Sequence, residues 1–175
     1  MGQNTRRLID FRDSTALADW HSISDPVMGG VSEAAMHWRE AGYASFLGTV
    51  SLENNGGFAS VYAPLEKGVL AGADALELNC RGDGRRYSLR LRKDDAFDGI
   101  SYRMDFTPLP GQWQQIRLPL AEFRPVFRGR ELTSAPPLQA EEVVRLGFLV
   151  ARQPGEFSLD IQWVDWLPAG AGGST

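Results

Sequence analysis

The feature that most constrains this chain is an alternation of apolar and polar residues with a period of two. In "RYSLRLR" (86–92), Tyr87, Leu89 and Leu91 fall on one face and Arg86, Ser88, Arg90 and Arg92 on the other. "ISYRMDF" (100–106) puts Ile100, Tyr102, Met104 and Phe106 together, and "EFSLDIQWVDW" (156–166) sets Phe157, Leu159, Ile161 and Trp163 against Ser158, Asp160 and Gln162. Successive side chains of a strand point to opposite faces, so this pattern is that of half-buried strands. The same reading gives shorter strands at 7–11, 32–38, 43–51, 57–63, 75–80, 113–118 and 144–151. The segments between them carry turn residues: "NNGG", "GDG", "DDAFDG", "PLPG" and "QPGE". "RGDG" is expected to close a hairpin between "ALELNC" and "RYSLRLR". Helix is limited to short turns at 14–20, capped by Asp13 or Ser14, and at 119–123 and 139–144.

About ten strands with short connections and no long amphipathic helix imply an all-β fold, an antiparallel β-sandwich of jelly-roll type. The chain reads as one domain over 1–167 with a small, polar, disordered tail at 168–175. The segment 124–137 reads as one long irregular loop.

Composition narrows the function classes. The net charge of the 175 residues is −4, without the basic balance of a nucleic-acid binder. Arg outnumbers Lys 16 to 2, and guanidinium groups grip carboxylates or phosphates through two parallel hydrogen bonds. The single cysteine, Cys80, rules out an intrachain disulfide and reads as a small buried apolar residue. His21 and His37 have no metal-ligand spacing, "DDAFDG" does not match an EF-hand loop, and no phosphate-binding or dinucleotide fingerprint occurs. No metal and no cofactor are therefore expected. No signal-peptide pattern and no run near ~20 apolar residues is present, so no direct membrane insertion is expected and the location is read as cytoplasmic.

Four blocks in order, "SDPVMGGVS" (24–32), "ENNGGFASV" (53–61), "RGDGRRYSLRLR" (81–92) and "FRPVFRGR" (123–130), with "GISYRMDF" and "WQQIRLPLAEF" between the last two, carry a resemblance. The chain resembles the complex I intermediate-associated protein family, known from a mitochondrial assembly factor for respiratory NADH dehydrogenase, from about Ile9 to Trp166. In the absence of a targeting presequence it looks like a bacterial-type relative. The resemblance implies a galactose-binding-like β-sandwich and a non-catalytic, chaperone-like assembly role. It implies a protein partner, such as a membrane-complex subunit or an assembly intermediate. Fold analogy also offers a carbohydrate-binding module that takes a glycan. A hydrolase built on the carboxylates and two histidines is the third alternative.

The candidate binding residues come from the same blocks. Asp25, Met28 and Ser32 line a Gly- and Pro-punctuated loop that serves either as strand entry or as a binding rim. Asn54 and Asn55 bring donor and acceptor together beside two glycines, more than a bare turn requires. Asp83 and Arg86 belong to "RGDGRR", and Arg103, with Asp105, is expected on the strand beside Arg86, Arg90 and Arg92. Such a row of guanidiniums either grips an anion or is balanced by cross-strand carboxylates. Arg128 joins Asp25 and Asn55 in one expected surface formed by the loops "DPVMGG", "NNGG" and "FRGRE". Among the five tryptophans, Trp38 and Trp166 are placed for partial exposure.

Overall fold

Among the described residues the alternation resolves into thirteen strands. The computed structural model describes residues 6–24, 33–51, 57–94, 100–127 and 130–169. In chain order the strands are β1 (Arg6–Asp10), β2 (His21–Ser24), β3 (Glu33–Arg39), β4 (Tyr43–Val50), β5 (Phe58–Pro64), β6 (Ala73–Arg81) and β7 (Tyr87–Arg92). They continue with β8 (Ser101–Phe106), β9 (Trp113–Pro119), β10 (Arg124–Phe127), β11 (Arg130–Glu131), β12 (Arg145–Ala151) and β13 (Gly155–Pro168). All ten expected strands are present, with ends shifted by no more than two residues. The three expected helical turns are 3-10 turns at Ser14–Leu17, Leu120–Glu122 and Ala140–Glu142. Asp13 caps the first, its side chain accepting from the Thr15 amide.

Two antiparallel sheets form. The first has the order β3-β4-β13-β6-β9, with β1 also on β13, and the second runs β11-β10-β8-β7-β12-β5-β2. The length of β13 organises the first sheet. Its start pairs with β4, its later part with β1, and its other edge with β6. The inward faces of both sheets share one apolar core. Phe46 of β4 meets Tyr87 of β7 across the sandwich at 6.2 Å and Phe157 of β13 at 4.9 Å. Side chains of this size each contribute about 1.5–3 kcal/mol on full burial.

Four expectations are corrected. "RGDG" closes no hairpin: β6 lies in the first sheet and β7 in the second, so the segment crosses between layers. Glycine is required at Gly82 because a Cβ there would come within 2.3 Å of the Pro108 ring. The segment 124–137 is not wholly irregular, since β10 adds to β8 and β11 adds to β10. Trp163 is not a core residue. A bulge lets two residues of β13 oppose one of β6 between Ile161 and Trp163, which turns Trp163 outward and Val164 and Trp166 inward. Trp166 is consequently buried, whereas Trp113 on the edge strand β9 is 38% exposed; Trp38 is partly exposed as expected. In addition, β13 runs through Pro168, where the tail was expected to begin, and residues 170–175 lie outside the described residues.

Candidate functional site

Asp83 sits at the crossover between the sheets. Its carboxylate accepts from the Tyr87 hydroxyl at 3.0 Å, from the Arg85 amide at 3.0 Å and from the Ser158 amide at 2.8 Å. Arg85 Nε lies 3.6 Å away. Arg85 also donates to the Gln153 and Glu156 carbonyls, and Gln153 exchanges two hydrogen bonds with the Arg86 backbone. These bonds latch the connection onto the β12–β13 turn. Burial, with Asp83 alongside, raises the pKa of the Tyr87 hydroxyl, so it stays a neutral donor to that carboxylate. Asp83 is thus engaged within the fold, with Arg85 as its ion-pair partner.

The arginines do assemble. The outward face of the second sheet carries Arg90 and Arg92 on β7, Arg103 on β8, Arg124 on β10 and Arg145 on β12, with Arg86 just ahead of β7. Register places Arg124 opposite Arg103 and Arg103 opposite Arg90. The same line continues through Gly147 to Tyr62 and His21. A second line sets Ser101, Arg92 and Arg145 side by side. Like charges directly opposite each other on a sheet destabilise it unless something offsets them.

Carboxylates offset part of this charge. Asp105 lies 3.6 Å from Arg103 and 4.0 Å from Arg86, Glu131 lies 3.6 Å from Arg103, and Asp94 lies 3.5 Å from Arg92. Along the row Arg124–Arg103–Arg90, the ion-paired carboxylates among the described residues are Asp105 and Glu131, both on Arg103. No described carboxylate comes within 4.0 Å of Arg90 or Arg124. Arg90 bonds the Ser101 hydroxyl at 3.3 Å, and its buried Nε has no partner among the described residues. Burial is the main reason its pKa is lowered to about 10; Arg103 and Arg92 add to the effect and Asp105 opposes it.

The floor of this face is shielded. Ser88, Ser101 and Val126 point outward yet are 4%, 6% and 1% exposed. An anion among these guanidiniums would feel charges screened less than on an open surface. At the other end, the Arg145 guanidinium lies 4.3 Å from the centre of the Tyr62 ring, and the His21 ring lies 5.5 Å from that ring, tilted by 37°. Gly147 is needed between these ends: a Cβ there would come within 2.6 Å of the Val61 carbonyl oxygen.

Of the candidates read from sequence, Arg86 and Arg103 are brought together here, both reaching Asp105. Asp25, Met28, Ser32, Asn54, Asn55 and Arg128 lie outside the described residues. Sequence reasoning missed Arg124, Arg145 and Tyr62. The signal for Arg145 and Tyr62 was present, since both sit at the polar phase of strands that had been recognised. Cys80 is fully buried, and burial pushes its thiol up to about 12. No group of three or more His, Cys, Asp or Glu converges among the described residues.

The fold defines the class of the chain, an antiparallel β-sandwich of jelly-roll type similar to that of carbohydrate-binding modules. A family 11 carbohydrate-binding module of the Clostridium thermocellum cellulosomal cellulase Lic26A-Cel5E superposes with a TM-score of 0.73 at 15% identity, over 97% of each chain. The family 11 module from the same organism, in complex with a β-1,3-1,4-mixed-linked tetrasaccharide, gives 0.71 at 16% identity, over 97% of this chain and 98% of the module. At such identities the likeness is one of fold. By sequence, the chain belongs to the family Complex I intermediate-associated protein 30 (CIA30), whose pattern matches residues 9–161. Mouse mitochondrial Complex I intermediate-associated protein 30 is 26% identical, over 93% of this chain and 56% of the mouse protein. An uncharacterized protein of Schizosaccharomyces pombe is 24% identical, over 86% of this chain and 78% of its own length. The chain therefore spans little more than half the length of the mouse relative. No helix among the described residues is long and apolar enough to cross a membrane.

Proposed function

We propose that this protein is a non-catalytic binding domain that acts in the cytoplasm and holds a protein partner during assembly of a respiratory complex of the complex I type. The observation that carries the reading is family membership over residues 9–161, which extends from β1 into β13 and so includes both sheets. The guanidinium face of the second sheet is the surface this reading uses. It has charge in excess, a shielded floor and rigid strands beneath it, and a binding surface of this kind loses little entropy on engagement. Asp25, Met28, Ser32, Asn54, Asn55 and Arg128 remain candidate binding residues on sequence grounds. The test is deletion of the gene in its source cell, followed by native-gel separation of NADH dehydrogenase. The expected result is accumulated subassemblies with less complete complex; a normal amount of complete complex overturns the reading.

A second reading, glycan binding, draws on the fold likeness and on one cluster of the first sheet. Trp113 is 38% exposed, meets Tyr43 edge-on at 5.2 Å and lies 4.8 Å from the Arg81 guanidinium. Arg81 is already paired with Asp160 at 2.8 Å and bonded to the Tyr43 hydroxyl at 3.1 Å. A sugar would have only the remaining ring surface, so this reading ranks second. Calorimetric titration with the mixed-linked tetrasaccharide decides it: saturable heat abolished by Trp113→Ala supports it, and no heat removes it.

A further inference from the structure

We infer that the partner segment received by the second sheet is an acidic, extended peptide, its carboxylates laid along the row Arg124–Arg103–Arg90. This deepens the proposed function and rests on it. The net charge of the chain is −4, yet along this row only Arg103 has ion-paired carboxylates, Asp105 and Glu131, among the described residues. Strand register puts Arg124, Arg103 and Arg90 side by side, three guanidiniums against those two carboxylates. Nothing in the fold requires that alignment, and adjacent like charges oppose it.

Geometry favours several separate carboxylates over one phosphate group. Adjacent strands lie ~4.8 Å apart, so the row spans ~10 Å at the backbone. Carboxylates two residues apart in an extended peptide are ~7 Å apart and can each reach a different guanidinium. A phosphate site gathers its donors around one point, commonly on a glycine-rich loop or helix N-terminus. Here the donors spread across three strands, and the described residues contain no α-helix. Arg90 at the end of the row sits on the shielded floor without a carboxylate partner, whereas Arg124 is exposed at the opposite end. A bound segment would offset the charge that Asp105 and Glu131 leave uncompensated, through charge-assisted hydrogen bonds.

The test uses the full chain and a fluorescein-labelled peptide of alternating Glu and Ser residues, followed by fluorescence anisotropy in 50 mM KCl. Saturable binding is expected, at least tenfold weaker in 300 mM KCl. Arg103→Gln/Arg124→Gln should weaken it at least tenfold, and Arg103→Lys/Arg124→Lys should recover part of the loss. Arg39→Gln/Arg117→Gln, which removes the same charge from the outward face of the first sheet, should leave it within twofold. Circular dichroism melting confirms that each variant is folded. Should the wild-type protein fail to bind the peptide, or the two Gln variants weaken it equally, the inference falls. It falls also if tripolyphosphate binds more tightly than the peptide and displaces it. None of these failures touches the assembly reading, which stands or falls on the deletion experiment.

Discussion

Replacing Asp83 with alanine removes the acceptor that joins the crossover, β7 and β13. Three donors lose their partner: the Tyr87 hydroxyl and the amides of Arg85 and Ser158. Ser158 is exposed and Arg85 half-buried, so water takes over those amides at little cost. The Tyr87 hydroxyl differs, because its residue is 1% exposed and sits among core side chains. An orphaned buried donor costs ~1–3 kcal/mol, and a lost hydrogen bond to a charged acceptor ~1.5–3 kcal/mol. The two figures overlap, since both count the same bond, and the expected destabilisation is about 1.5–3 kcal/mol. Tyr87→Phe alone should cost about 1 kcal/mol. In the double variant no hydroxyl is left orphaned, so it should be more stable than the sum of the single effects implies, by about 1 kcal/mol or more. Urea unfolding at equilibrium gives all three values, with a lowered midpoint and an unchanged slope. Additive single effects, or a loss below ~0.5 kcal/mol for Asp83→Ala, would refute the latch and return Asp83 to the binding surface.

Other outcomes follow from individual residues. Gly147→Ala pushes a methyl group toward the Val61 carbonyl oxygen at 2.6 Å and should lower stability by about 1–3 kcal/mol in the same urea assay. Cys80, its thiol pushed up to about 12 by burial, should resist a disulfide exchange reagent at pH 8 until the protein is unfolded in urea. Asp10 is held at about 2, below its ordinary 3.8, chiefly by its hydrogen bond from the Arg12 side chain. A depressed carboxylate contributes stability above its unfolded pKa and loses it as pH falls through the folded one. Thermal melts should therefore show Asp10→Asn closing on the wild-type protein between pH 4 and pH 2; a constant gap across that window would contradict the pairing.

The strands were legible because alternation depends only on each segment's own two faces. What alternation cannot supply is which strand lies beside which. "ALELNC" and "RYSLRLR" look like hairpin partners across "RGDG", but each finds two other neighbours, in different sheets. A one-residue bulge in β13 escapes a strict period of two and reverses the side assigned to Trp163. Pro125 made β10 read as loop, since proline cannot donate to a ladder; near the sheet edge it is tolerated. That hid Arg124, and with it the third member of the row. Arg86 and Arg103 were legible from phase alone, whereas the row needs cross-strand register.

The most direct test is made in the cell. The gene is replaced by one encoding Arg103→Gln/Arg124→Gln, and complete NADH dehydrogenase is measured by native gel beside the deletion strain. If the outward face of the second sheet holds the partner, the variant accumulates to the wild-type level while the subassemblies of the deletion strain reappear. Complete complex at the wild-type level in that strain would contradict the claim.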